Sequence, residues 1–482
     1  MGGRLVISPG PSHLTEIAAR GVPVPTYDRD LLRGRIVHIG VGGFHRAHFA
    51  LYCDDLAEAG SDWGIVGLGL LPQDAEIAET LRDQGYLYTL IEKGNGEPSA
   101  RLIGSIIGFV HAPGKDDPAV VNLIASSSTA VLSLTVTEAG YAEPAGNGAP
   151  PTFDRIASGL AARRARGGGP LTILSFDNMP GNGTAARRAT LSAAGRVDTG
   201  LAEWVTDNCT FPNSMVDRIT PVTSREDRAW LVDSTGIEDR WPVVAEPFRQ
   251  WVVEDDFAAG RPPWETVGAL FTDRVHDWEL YKLRMLNAAH SSMAYLSALA
   301  GITFVDEAMA VPTIKTFLEA LLYREAMPTL DAIPGHPRED YVASVLERFE
   351  NRGVRDQIAR LCIDGSAKFP TFLIPTIARQ LEMEGPVDRA ATALAGWARY
   401  LGVVDPADQA FDTSGDAARR HGAAALADPL AFLDYSAVFP SAVSGSERFR
   451  AAFAQSYECI VDDGPMAAME KAAGAERTGG AL

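Results

Sequence analysis

At 482 residues the chain exceeds what a single hydrophobic core ordinarily supports, so two packed domains are expected. With 46% hydrophobic and 22% charged residues and no apolar run long enough to cross a bilayer, the composition is that of a globular protein in water. The formal net charge of −19 repels nucleic-acid phosphates and anionic lipid alike, which argues against nucleic acid and membrane as partners. Cys53, Cys209, Cys362 and Cys459 stand singly, without the paired spacing of a zinc site or the density of a secreted disulfide framework, so a cytoplasmic setting is expected. Residues 1–35 carry Pro9, Pro11, Pro23 and Pro25 among several charges, unlike the apolar core of a signal peptide.

In chain order, residues 35–39 read as a short strand, which Gly40-Val41-Gly42-Gly43 breaks before a helix-compatible stretch at 44–59. A second strand is expected at 64–70. Residues 130–137, apolar and β-branched almost throughout, read as a buried central strand, and 171–176 repeat that pattern. Between these two strands, residues 143–151 are rich in Pro, Gly and Asn and predict a surface loop. This alternation is the rhythm of a parallel sheet. From Trp278 the β-branched runs give way to long segments rich in Ala, Leu, Arg and Glu, with helices expected at 278–300, 311–326, 338–351, 376–384 and 388–401. The tail at 466–482 is small and polar and is expected to fray. The expected architecture is therefore an α/β domain over 1–277 followed by a mainly α-helical domain over 278–482.

Three segments carry chemistry. In Gly40-Val41-Gly42-Gly43-Phe44-His45-Arg46, glycines at a strand-to-helix turn let the backbone approach a pyrophosphate at a helix N-terminus, although His45 takes the place of the third glycine. A plain tight turn is the alternative. The acidic residue for the ribose hydroxyls is then Asp74, after the second strand; a loop or N-cap aspartate is its other reading. Second, Asp177-Asn178-Met179-Pro180-Gly181-Asn182-Gly183 follows a buried strand, where α/β sheets place their ligands, or forms a solvated turn. Third, Lys282 to His290 lies in a helical segment. At about 100° per residue Lys282 and His290 fall about 80° apart, with Asn287 about 60° beyond, so all three share one side of the helix. An ordinary amphipathic helix would show the same spacing.

There is no His-Glu-x-x-His pair, no Gly-x-Ser-x-Gly elbow, no Walker lysine loop and no convergent Cys/His set for a metal. Taken together, Ile39 to His48, Asp177 to Gly183, Asp217-Arg218-Ile219-Thr220-Pro221, Glu246 to Phe257, Gly260-Arg261-Pro262 and Lys282 to Ser291 resemble, in order and spacing, the long-chain mannitol dehydrogenase family. That resemblance implies a Rossmann-type N-terminal domain, a helical C-terminal domain and an active site in the interdomain cleft. It implies NAD as cofactor, no metal, and a polyol or keto-sugar as the small-molecule substrate.

The resemblance makes Lys282 the catalytic base, Asn178 and Asn287 the donors to the reacting oxygen, and His290 the residue that orients a neighbouring hydroxyl. It assigns Gly40, Gly42, Gly43, Phe44, Arg46 and Asp74 to the cofactor. It also makes Arg360 and Lys368 donors to distal hydroxyls, and Asp217 a substrate-binding residue that closes the site from beside the cofactor. Glu138, after a central strand, is placed to relay a proton from Lys282 to water. The segments look closest to the branch that interconverts mannitol and fructose. A fructuronate (hexuronate) reductase, an arabinitol dehydrogenase and a catalytically inactive nucleotide sensor are the alternatives, and a monomer is compatible with the chain.

Overall fold

The computed structural model describes residues 6–114, 117–141, 152–405 and 410–475, with only the backbone at Glu138 and Ala139. The chain divides into two units, Met1–His276 and Asp277–Leu482. The expected loop at 143–151 lies outside the described residues.

In the first unit the strands are β1 (Arg33–Ile39), β2 (Trp63–Gly69), β3 (Tyr88–Glu92), β4 (Ser99–Ile103), β5 (Ile106–His111), β6 (Val131–Leu134), β7 (Leu171–Ser175), β8 (Cys209–Thr210), β9 (Ser214–Asp217), β10 (Val243–Ala245), β11 (Gln250–Val253) and β12 (Leu270–Phe271). Six of them form one sheet in the order β5-β2-β1-β6-β7-β8, with every pairing parallel. Counted along the chain, this is the doubly wound order 3-2-1-4-5-6, in which the winding direction reverses between β1 and β6.

The near-continuous apolar runs exist because both faces of this sheet are covered. Val37, Ile39, Leu132, Leu134 and Ile173 face the helices Thr152–Ala165 and Asn182–Val197. The alternate positions Ile36, Val131 and Leu174 face the helix Phe49–Glu58. An aromatic cluster of Phe49, Phe176, Trp251 and Trp264 fills that second side, with centroids of contacting rings 4.4 to 5.6 Å apart. Two three-stranded sheets, β10-β3-β4 and β12-β11-β9, complete the unit. The helix-compatible stretch at 44–59 is two helices, Gly43–Ala47 and Phe49–Glu58, broken at His48.

The second unit is helical. The expected helix at 278–300 is Val275–Tyr281, a π-turn at Lys282–Asn287, and Ala288–Leu299. The one expected at 311–326 likewise runs from Pro312–Ala320 into a second π-turn, Leu321–Ala326. Arg338–Phe349, Ile374–Glu382 and Asp388–Val403 match the remaining three to within two residues at each end. The last is buried along most of its length around Trp397.

One expectation fails here. Residues 476–482 of the tail lie outside the described residues, but 466–474 do not fray, because Pro465–Gly474 is a helix with Ala468, Met469 and Ala472 buried. Its end is tied down by Arg389, which donates to the carbonyls of Ala473 and Ala475 at 3.2 and 2.6 Å. Arg389 also pairs with Glu325, itself fully buried. Small residues lie flat in such a seam, so low hydropathy there does not mean exposure.

Candidate active site

Gly40 follows β1 with φ of +90°, and a Cβ built there would lie 2.1 Å from the carbonyl oxygen of Thr135. Only glycine fits so close an approach. Thr135 follows β6 and donates its backbone N–H to Ile39 at 2.9 Å, so the turn after β1 is fastened across the point where the winding reverses. Gly42 caps the helix Gly43–Ala47 in an extended conformation, and the nearest atom to a Cβ there is 3.9 Å away. Gly43 sits within ordinary contact of Thr220 and Val243, and Phe44 stacks on His48 at 5.0 Å.

Two neighbours depart from the sequence expectation. His45, in the third-glycine place, is buried and stacks on His38 with centroids 3.5 Å apart, so a pair of rings fills the helix–strand contact that glycine would have closed. Burial pushes both imidazoles down, His38 to about 3. Arg46, assigned to the cofactor, is only 3% exposed. Its guanidinium lies 5.3 Å from the Tyr88 ring and donates to the carbonyl of Trp241, so its charge is engaged inside the protein. Asp74 is the first residue of the helix after β2, whose N-cap is Gln73, and one of its oxygens accepts from Leu71 N–H at 2.9 Å in the preceding loop, a local contact of the kind named as its alternative.

The turn after β7 is pinned from below. Buried Asp177 accepts from the N–H groups of Val136 and Thr137 at 2.8 and 2.7 Å and from the Tyr141 hydroxyl at 2.7 Å. Burial raises its carboxyl above the usual range against the lowering effect of those bonds. Thr137 itself has φ of +62°. Asn182 closes the far side of the turn, donating to Ser214 at 2.8 Å and to Asp177 at 3.1 Å through backbone carbonyls. This frame presents Asn178 on the exposed side, beyond the carboxyl end of the strand. Buried Asp217 ends β9, opposite Gln250, and its charge acts on His48.

In the second unit Lys282, 9% exposed, and Asn287 are the two ends of the π-turn, where Ala288 N–H reaches back five residues to Leu283. The wider turn changes the arc derived for a regular helix. At about 82° per residue Lys282 and Asn287 fall about 50° apart, and His290 returns to within about 10° of Lys282. An arc of about 140° contracts to about 60°. His290 stacks flat on Phe349 at 3.9 Å. Arg360 donates through Nε to Asp356 at 2.7 Å, and through a second nitrogen to its other oxygen. Lys368 donates to the Leu361 carbonyl at 3.1 Å, and burial, followed by the charge of Arg360, lowers its ammonium pKa.

Several contributors escaped sequence reasoning. Asp177 and Asn182 were read as part of a polar turn with no division of labour, and Tyr141 and Asp356 were not singled out. Buried Glu279 precedes Lys282 by one turn; an acid three residues before the lysine was the available signal. The side chain of Glu138 lies outside the described residues. Among the described residues no three His, Cys, Asp or Glu side chains are grouped as metal ligands, and no helix is long and apolar enough to cross a membrane.

Residues 34–266 match the family profile described as the mannitol dehydrogenase Rossmann domain, and 274–461 match the mannitol dehydrogenase C-terminal domain. A mannitol 2-dehydrogenase of Phaeosphaeria nodorum is 40% identical over 471 residues, spanning 93% of this chain and 83% of that protein. A mannitol dehydrogenase of Saccharomyces cerevisiae is 39% identical over 476 residues, spanning 93% and 94%. Among solved structures, the Pseudomonas fluorescens mannitol 2-dehydrogenase ternary complex with NAD and D-mannitol superposes with a TM-score of 0.85 at 37% identity, over 96% of this chain and 99% of that one. A D-sorbitol dehydrogenase in substrate-free form gives 0.86 at 33% identity, over 96% and 100%.

Proposed function

We propose that this chain, which belongs to the mannitol dehydrogenase family and is an NAD-dependent polyol dehydrogenase, interconverts D-mannitol and D-fructose. The observation that carries the mechanism is a buried lysine, Lys282, at the head of a π-turn that ends in Asn287. The first unit fits the cofactor by its own geometry. Gly40 can be nothing larger, Gly42 leaves open the space a side chain would fill, and Asp74 follows the strand next to β1. Gly40, Gly42, Gly43 and Phe44 would hold the pyrophosphate at the helix N-terminus, and Asp74 the ribose hydroxyls. Bound NAD supplies the hydride acceptor.

As C2 of the polyol gives up hydrogen with its electron pair, its hydroxyl loses a proton to Lys282 Nζ and the C2–O bond becomes a carbonyl. Lys282 must accept as a free amine, and enclosure away from water is the physical route to one. The amides of Asn178 and Asn287 donate to the oxygen on which negative charge develops. His290 orients an adjacent hydroxyl, Arg360 and Lys368 meet the distal hydroxyls, and Asp217 borders the site. Lys282 then returns its proton to solvent through a carboxylate, for which Glu138 is the proposed group.

The D-sorbitol dehydrogenase neighbour supports a second reading, because D-sorbitol is the C2 epimer of D-mannitol and yields the same ketose. Reduction of D-fructose with NADH, followed by chromatographic identification of the hexitol, separates the two. D-mannitol is expected from the wild type, and about a thousandfold less of it from Lys282→Ala. Sorbitol as the product selects the second reading. Equal rates for wild type and Lys282→Ala remove the lysine from the mechanism.

A further inference from the structure

The carboxylate of Asp356 has no part in the chemistry above, yet it is far more buried than its partner Arg360. It is 6% exposed, whereas the side chain of its partner Arg360 is 52% exposed. The residue before it, Arg355, has φ of +51°, a left-handed conformation that a non-glycine residue keeps only when its surroundings enforce it. Those surroundings are present. The Arg355 guanidinium lies 3.7 Å from the Phe304 ring centroid and pairs with Asp306 and Glu307 at 3.6 and 3.4 Å. The Asp356 carbonyl accepts from Val305 N–H at 2.9 Å, and Thr303 accepts from Ile358 at the same distance. Backbone strain and five anchoring contacts thus serve to aim one carboxylate.

We propose that Asp356 is a positioning residue that holds the Arg360 guanidinium, and through its charge the His290 ring, in the orientation in which they meet the substrate hydroxyls. The inference rests on the polyol reading above, which gives Arg360 and His290 that role. Its geometric basis is the forked pairing, in which Nε and a terminal nitrogen of Arg360 each bond a different carboxylate oxygen, fixing the plane of the guanidinium as well as its distance. The remaining N–H groups of Arg360 then point in a set direction, and a half-exposed arginine without such a fork would sample many rotamers. Burial pushes the Asp356 carboxyl up, but the hydrogen bonds and charge of Arg360, with His290 contributing, more than offset it and hold it below the usual range. Lys368 is the other cation that feels this carboxylate. The helix Ala288–Leu299, which carries His290, packs directly on the helix Ile358–Leu361, which carries Arg360, so one acidic group serves both.

Asp356→Asn keeps the shape and removes the charge, and Asp356→Glu keeps the charge at a longer reach. Steady-state kinetics with D-fructose and NADH, NADH binding by fluorescence, and the pH profile of kcat/KM are measured for wild type, both variants, Arg360→Ala and the double variant Asp356→Asn/Arg360→Ala. For Asp356→Asn, KM for fructose is expected to rise about tenfold or more while the NADH dissociation constant stays within about twofold, with partial recovery in Asp356→Glu. The acid limb of the pH profile should move down, because a histidine that loses a neighbouring carboxylate protonates less readily. In the Arg360→Ala background Asp356→Asn should raise KM by less than it does alone, the remainder being the part that acts through His290. A fructose KM within twofold of wild type in a folded Asp356→Asn protein, or full multiplication of the two effects, overturns the proposal. Where Asp356→Asn does not fold, Asp356→Glu decides: a KM nearer to wild type than to Arg360→Ala, with the wild-type pH profile, supports the charge, and a loss equal to that of Arg360→Ala refutes it. A wild type inactive on every polyol and ketose would instead remove the functional reading beneath it.

Discussion

Gly40 and Gly42 sit two residues apart in one turn, and the geometry assigns them opposite consequences. Alanine at Gly40 must adopt φ near +90° with its Cβ 2.1 Å from a backbone oxygen that cannot rotate away. The left-handed backbone alone costs about 1–2 kcal/mol, and moving the Thr135 strand end adds about as much again, for a total of about 3 kcal/mol. Alanine at Gly42 meets nothing within 3.9 Å at φ of −87°, where an L-residue is unstrained. Stability should therefore be unchanged, or rise by about 0.4–1 kcal/mol from the smaller entropy of the unfolded chain. If the pyrophosphate lies against this turn, however, the new methyl occupies its place, and displacement weakens binding by at least about 1.4 kcal/mol, or tenfold. Thermal unfolding without ligand and fluorescence titration with NADH read the two quantities separately. The expected pattern is a Tm lower by about 6–12 °C in Gly40→Ala, and a wild-type Tm with a tenfold weaker Kd in Gly42→Ala. An unchanged NADH affinity in Gly42→Ala would refute the cofactor assignment of the turn, whatever happens at Gly40.

Asp177→Ala leaves the N–H groups of Val136 and Thr137 without their acceptor and should cost about 2–4 kcal/mol in urea unfolding, with a larger fall in kcat than in NAD affinity; a loss under about 0.5 kcal/mol would contradict the pinned turn. Acid stability should follow the buried histidines. Burial holds His38 and His48 at about 3 and pushes His45 down as well, from an ordinary 6.5, so below that pH the unfolded chain binds protons that the native protein does not. Stability then falls with pH through this window, by about 1.4 kcal/mol per pH unit for each histidine. His45→Leu, whose native ring nitrogens have no hydrogen-bond partner among the described residues, should lower that slope by about one such increment, and equal slopes would count against it. Glu138→Gln and Glu279→Gln divide the proton relay between two candidates. The variant that alters the pH profile of kcat and the proton-transfer rate identifies the carboxylate, and if neither does, the relay runs elsewhere.

Much of the first unit was legible because its determinants are local. A strand buried on both faces requires an unbroken apolar run, so β1, β6 and β7 announce themselves, and a turn needing left-handed backbone requires glycine at Gly40. The position of Asn178 follows in the same way, since it lies three residues beyond the end of such a strand. The short strands β8 to β12 were not legible, because two to four residues carry no period and their pairing partners are remote in the chain. Nor was the destination of Arg46. The motif placed it beside the glycine turn, but the carbonyl of Trp241 and the face of Tyr88 decided where its charge would lie.

Residue identities along the chain therefore determined the doubly wound α/β unit, the helical unit after it, and the kinds of side chain that could do chemistry. Tertiary structure decided their directions. A π-turn and a regular helix differ only in which carbonyl each N–H selects, a choice made by surrounding packing and invisible in the side-chain pattern, yet by ideal geometry it narrows the arc that holds Lys282, Asn287 and His290 from about 140° to about 60°. Asp356 likewise gained its place through contacts with residues about fifty positions earlier in the chain, which no local spacing encodes.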